Sequence, residues 1–452
     1  MTKNHEDINL AEDDLGHLLL KLSLPAITSQ IVNVLYNIID RIYIGHIEEI
    51  GPLALTGVGV CFPIVMIISA FAALFSFGAA PRASIFLGRN DKKNAEKTLG
   101  NSTSLLVICS IIITIIVLIF YKPLLYLFGA SENTISYASS YIRIYAIGTI
   151  FVQLSLGLNA FISVQGFSKV AMHTVLIGAI SNIILDPIFI YLLNMGVAGA
   201  ALATIISQAI SASFAFKFMV GMKSNIKIKR ENLRLSKNIA LPSISLGLAP
   251  FIMQSTESLL MLCFNSQLLR FGGDLAVATM TITSSLMQFV LLPIQGLTQG
   301  GQAIISYNYG ANNMDRVKGA FKLQTLGSVI FSGILWILLL LFPKFFAGFF
   351  TSDFQLLNEA SWAIRIYFAV VILFGVQISC QQSFIAFGDA KTSSFLALFR
   401  KIILLIPLIY ILPRFFDDKV FAVFLAEPIA DFFAVVATGL LFKRKIRKID
   451  TI

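Results

Sequence analysis

Apolar residues come in runs of about twenty or more, separated by short polar stretches. That pattern is too long for strands and too evenly apolar for the striped helices of a soluble bundle. A helix of about 20 apolar residues crosses the hydrocarbon core of a bilayer. Twelve runs meet this length: 18–44, 53–78, 98–121, 137–162, 171–193, 197–219, 239–266, 275–297, 319–343, 361–386, 395–412 and 418–442. They are numbered below as spans 1 to 12, and they predict an all-α integral membrane protein with twelve transmembrane helices.

Composition agrees. Hydrophobic residues make up 57% of the chain and charged ones 13%, about half of the ~25% charged share usual in soluble domains. Cys61, Cys109, Cys263 and Cys380 all lie in apolar runs without CxxC spacing. They read as small core residues, not as a disulfide frame or a zinc site. The first residues, MTKNHEDINLAEDDLGH, are polar and acidic and lack the basic start of a signal peptide, so span 1 itself is expected to direct insertion.

A net charge of +10 is compatible with a nucleic-acid partner, but its placement argues otherwise. Alternate connections hold the basic residues, among them Arg82, Arg89, Lys92, Lys93 and Lys97, then Lys169, then the run from Lys217 to Lys237. Later members include Arg316, Lys318, Lys391, Arg400, Lys401 and the group from Lys443 to Lys448, with Lys3 and Lys21 at the start. That side collects 26 basic residues; the other holds Lys122, Arg270, Lys344, Arg414 and Lys419. The positive-inside rule then places both termini in the cytoplasm and makes the basic surplus a feature of topology.

The chain also repeats itself. GAAPRASIFLGRND from Gly78 aligns with GGQAIISYNYGANN from Gly301 when Gly88 is set on Gly310, an offset of 222. The same offset pairs YIRIY (141–145) with AIRIY (363–367), and Gly166 and Lys169 with Gly388 and Lys391. At the start of each half the offset is 217, pairing LSLPAI (22–27) with IALPSI (239–244) and Asp40 with Glu257. The expected organisation is two pseudo-symmetric six-helix bundles, 1–219 and 239–452, joined by a basic cytoplasmic linker at 220–238. Two such halves around a midplane cavity is a transporter arrangement.

A charge at mid-membrane is unfavourable by about 3 kcal/mol on insertion scales, and such residues normally face a bundle interior or a wet cavity. The embedded acids are Asp40, Asp186, Glu257, Glu427 and Asp431; the embedded bases are Arg41, Arg143 and Arg365. In SNIILDPIFIY, Asn182 and Asp186 are four apart and share a face, and Pro187 frees a backbone carbonyl beside them. With Asp40 they are expected to form an oxygen-rich pocket for a small cation or a proton. Arg41, Arg143 and Arg365 lie near outer span ends and read as interface anchors. Glu427 and Asp431 share a face around Pro428 and are either a second ion or substrate site or the partners of a base on span 11 or 12. Gln288, Gln377 and Gln381 suggest a wet wall in the C-terminal half, where adaptable Met253 and Met261 would suit varied cationic ligands.

At LPAITSQIVNVLYNIIDRIYIGHI, GAAPRASIFLGRND and NIILDP the sequence resembles the multidrug and toxic compound extrusion (MATE) family, over essentially the whole chain and most closely its bacterial MepA-like branch. The resemblance implies V-shaped lobes exporting organic cations or amphiphilic drugs in exchange for sodium ions or protons. It also implies an N-lobe ion site on Asp40, Asn182, Asp186 and Thr204, and a substrate role for Glu257. Span 10 lacks the aspartate found in one branch, which leaves Glu427 or Asp431 as substitutes. The expected setting is a bacterial plasma membrane, with a functional monomer among lipids, cationic small molecules as ligands, no nucleic-acid partner and no cofactor beyond the coupling ion. No catalytic constellation and no GxxxxGK[ST] motif is present, so an enzyme or an ATP-driven pump is not expected. The rival readings are a lipid or glycolipid flippase of related fold, for which more basic charge in the cavity is expected, and another twelve-helix ion-coupled carrier.

Overall fold

The computed structural model describes residues 8–450, and every regular element among them is helical; Lys3 lies outside the described residues. Nine of these helices are long and apolar enough to cross a membrane. Two further spans are bent pairs: Ile135–Ile147 with Thr149–Val164, at 56°, and Phe354–Tyr367 with Val371–Ala386, at 46°. The twelfth comes from Lys237–Gly310, a helix of 74 residues. Straight, it would be about 110 Å long at 1.5 Å per residue, several times the bilayer core. Gly273 breaks it with φ 63° and ψ −159°, a conformation that only a residue without Cβ adopts readily. Spans 7 and 8 are therefore 237–272 and 274–310, and the loop expected over 267–274 shrinks to a single glycine.

Span 1 is Leu15–Gly45, and span 2 is Gly51–Ser76 prolonged by Ala79–Gly88. GAAPRASIFLG, expected as a connection, is thus mostly helix. Span 3 is Lys92–Leu127, span 5 is Ser168–Pro187 ending in the π-helical turn Ile188–Leu192, and span 6 is Gly196–Val220. Span 9 is Met314–Leu341, span 11 runs from Ala390–Leu398 through the π-helical Phe399–Leu405 to Ile406–Ile411, and span 12 is Lys419–Asp450.

The repeat extends to single backbone conformations. Asn90 and Asn312, 222 apart, are left-handed at φ 59° and 57°; Gly166 and Gly388, also 222 apart, have φ 91° and 74°. The next residues cap the following helices, Asp91 accepting from the Asn94 N–H at 3.1 Å and Asn313 from the Arg316 N–H at 3.3 Å. The Asn94 backbone N–H and side-chain amide hold the Asp91 carboxyl below the usual carboxylate range.

The lobes meet at the basic end about a local two-fold relation. A Cβ on Gly88 would lie 2.0 Å from the Tyr307 carbonyl oxygen, and one on Gly310 would lie 2.1 Å from that of Ile85. Ile85 and Tyr307 are themselves repeat partners, so the two contacts are images of each other. The same closure brings Phe71 within 5.1 Å of Phe251 and lets the Ser23 hydroxyl donate to the Leu297 carbonyl at 3.2 Å. The connecting segment is tied down on span 3. Asn101 donates to the Asn232 and Arg234 carbonyls at 3.3 and 3.2 Å and accepts from the Ser236 N–H at 2.7 Å.

Toward the opposite end each lobe has its own core. One contains Ile44, Cys61, Ile142 and Ile190; the other contains Phe264, Leu286, Phe368 and Phe424; no residue belongs to both. Lobes joined at one end and separately cored at the other form a V whose cleft opens away from the basic loops.

Because no side chain fits between the paired turns, Gly310→Val is expected to wedge the basic end apart. Spin labels placed at the exposed Lys169 and Lys391 would then move to longer separations than in the parent protein. An unchanged distance distribution would show that this contact does not hold the lobes together.

Candidate functional site

In the N-lobe the structure brings Asp40 of span 1 together with Asn182 and Asp186 of span 5. Asn182 Nδ2 donates to Asp186 Oδ1 at 3.2 Å, as expected for residues one turn apart. The two carboxyl groups are close enough to act on each other electrostatically. All three residues are buried, Asp186 completely. Span 5 continues beyond Pro187 into its π-helical turn, where the ordinary ladder is already disturbed.

No base approaches either carboxylate as an ion pair among the described residues. Asp40 Oδ1, Asn182 Oδ1 and Asp186 Oδ2 are all buried without a hydrogen-bond partner. Buried acceptors left this way are costly, and three oxygens, two from carboxyl groups, form a donor set for a small hard cation or a bound proton. Thr204 is also buried, but its hydroxyl donates to its own helix, to the Ala200 carbonyl at 3.0 Å. Tyr36 and Tyr141, which the sequence reading missed, lie in electrostatic reach of Asp40. Tyr36 is four residues before Asp40, so helical spacing was a usable signal for it. Tyr141 comes from another span and had none.

The C-lobe solves the same problem differently. Arg400 and Lys401, counted above among the cytoplasmic loop charges, sit inside the π-helical stretch of span 11, with Lys401 4% exposed. The basic side therefore holds 24 rather than 26, still far above five. Arg400 donates through Nε to Asp431 at 2.5 Å and through Nη2 to Glu427 at 3.1 Å, and its guanidinium lies 5.0 Å from the Phe374 ring centre. Glu427 and Asp431 are thus partners of a base on span 11 and not a free acidic pair. Lys401 Nζ donates to Glu257 Oε1 and to the Met253 carbonyl. The Glu257 side chain itself remains 61% exposed. Tyr367, the repeat partner of Tyr145, is buried near these acids.

The polar wall divides. Gln288 is exposed, whereas Gln377 and Gln381 are buried. Gln381 is turned into the bundle, where its amide donates to the Ser393 carbonyl at 2.8 Å; it ties span 10 to span 11 and does not line a wet wall. Met253 is half-buried and contributes its carbonyl to Lys401, and Met261 packs on the C-lobe core. Arg41, Arg143 and Arg365 pair with none of the embedded acids. Arg41 lies 5.2 Å from the Phe62 ring centre, Arg143 5.7 Å from that of Tyr121, and Arg365 donates to the Leu340 carbonyl at 3.2 Å.

Removing one member of a buried ion pair leaves the other uncompensated, a loss of about 3–5 kcal/mol. Arg400→Met is therefore expected to lower the thermal melting point of the purified protein sharply. Neutralising Glu427 and Asp431 in the same chain (E427Q/D431N) should recover most of it. A stable R400M protein would show that the triad carries no such strain.

A model of the MatE family matches residues 25–188 and 250–411. The multidrug export protein MepA of Staphylococcus haemolyticus is 25% identical over 435 residues, 96% of this chain and 95% of its own length. A crystal structure of MATE in the bent conformation superposes with a TM-score of 0.91 at 25% identity, over 98% of both chains. A MOP superfamily transporter from Pyrococcus furiosus, whose binding pocket is of reverse polarity, gives 0.91 at 25% identity over 99% of this chain and 100% of its own. With the family model matched in both lobes over well more than half its length, this chain belongs to the MatE family of multi-pass membrane transporters and is not an enzyme.

Proposed function

We propose that the protein is a multidrug efflux transporter that exports organic cations and amphiphilic drugs in exchange for sodium ions or protons. The observation that carries this reading is the contrast in charge between the lobes. Asp40 and Asp186 are buried with no ion-pairing base among the described residues, while each C-lobe acid pairs with Arg400 or Lys401. A pair of unmatched carboxylates in a bilayer calls for a mobile cation or proton. The export named for the MepA relative supports the direction and the class of substrate.

The mechanism follows from the V. With the basic loops and both termini in the cytoplasm, the cleft faces outward. Coupling ions then reach Asp40 and Asp186, and their binding removes negative charge from span 1, which touches both lobes. An organic cation leaves as that charge disappears. By linkage, ion and substrate weaken each other's binding by the same factor. In the inward-open state the same carboxylates release their ions and a new organic cation enters.

Embedded bases now equal embedded acids at five each, so counting charges no longer argues against a flippase. The donors of Arg400 and Lys401, however, are spent on neighbouring acids inside the bundle. The exposed group is the carboxylate of Glu257, which suits a cation.

Asp40→Asn and Asp186→Asn are each expected to abolish concentrative efflux of a fluorescent organic cation from proteoliposomes while leaving the protein folded. Sodium and pH gradients imposed separately identify the ion. Efflux at the parent rate in D40N, under whichever gradient drives the parent, would overturn the ion-coupling assignment.

A further inference from the structure

The C-lobe cluster contains Glu257, Glu427 and Asp431 against Arg400 and Lys401. By formal charge, three acids against two bases leave the cluster one negative charge in excess. The groups differ in access: the Lys401 side chain is 5% exposed and those of Glu427 and Asp431 are 7% and 1%, while that of Glu257 is 61% exposed. A ligand in the cleft therefore meets a single carboxylate whose charge is partly cancelled from behind by an ammonium it cannot reach. Lys401 is held there by two acceptors on the same face of span 7, the Met253 carbonyl and, one turn later, Glu257.

The repeat sharpens the point. Asp40 and Glu257 are partners at offset 217, and each faces a residue from the fifth span of its lobe. In the N-lobe that residue is Asp186, and in the C-lobe it is Lys401. One pair requires a cation from solution; the other carries its cation on a side chain.

We infer that Lys401 is a specificity-determining residue, which limits the C-lobe site to singly charged organic cations by cancelling part of the Glu257 charge. The inference rests on the export reading above and deepens it. Neutralising Lys401 uncovers a second negative charge in the cluster. At an effective dielectric near 20, one added unit charge on a ligand several ångströms away then gains an affinity factor on the order of tenfold or more.

The test uses the full-length protein in detergent and two probes, tetraphenylphosphonium with one positive charge and methyl viologen with two. Lys401→Met is expected to raise the affinity for methyl viologen relative to tetraphenylphosphonium by about tenfold or more. E257Q/K401M, which restores one uncompensated charge, should return the ratio to the parent value. Lys401→Gln keeps an amide donor for Met253 and Glu257, carries the same expected shift, and serves if K401M does not fold. An unchanged ratio in a folded K401M or K401Q protein overturns the inference while leaving organic-cation export intact. If the parent binds and transports neither probe nor any other organic cation, the export reading itself falls, and this inference with it.

Discussion

A carboxylate buried in a bilayer needs a positive partner, and the interior of this transporter is organised by how each lobe supplies one. The C-lobe supplies it covalently, from the π-helical stretch of span 11, where Arg400 holds Glu427 and Asp431 and Lys401 holds Glu257. Breaking such pairs is expensive, which makes that lobe a fixed electrostatic body. The N-lobe has a comparable place on span 5 but puts Asp186 there, and it leaves three buried oxygens without partners. On the proposed reading its charge balance is completed from outside the chain, so its state depends on which side of the membrane it faces.

This asymmetry rests on a symmetric frame. The paired turns Asn90/Asn312, the capped helices that follow them and the glycine contacts Gly88–Tyr307 and Gly310–Ile85 are matched residue by residue at offset 222. Closure at the basic end depends on backbone touching backbone, a contact that exists only in one relative placement of the lobes. Toward the other end no shared core opposes separation. A hinge-like joint of this kind suits lobes that rock as bodies, with the Asp40 charge site in the last turns of span 1, away from the joined end.

Much of this was legible in the sequence. The apolar runs located all twelve spans, and the repeat predicted paired lobes, because both depend on local composition and spacing. Asp40, Asn182 and Asp186 were found because unmatched acids in apolar runs are rare. Arg400 and Lys401 were misplaced because two adjacent bases in the first turns of the run 395–412 look like a loop edge, whereas span 11 begins at Ala390, five residues earlier, and carries both inward. Gln381 failed for a related reason: a polar residue in a span faces either water or a partner, and only the fold shows the Ser393 carbonyl beside it. Tyr141 reaches Asp40 across span boundaries, a proximity no local spacing encodes. The break between spans 7 and 8 was legible but its length was not, because Gly273 is a one-residue corner flanked by residues that stay helical.

The claim that the N-lobe borrows its cation is tested most directly by counting ions displaced when an organic cation binds. In weakly buffered detergent solution, saturating tetraphenylphosphonium should release protons or sodium ions from the parent protein and none from D40N/D186N. Undiminished release from the doubly neutralised protein would contradict the account.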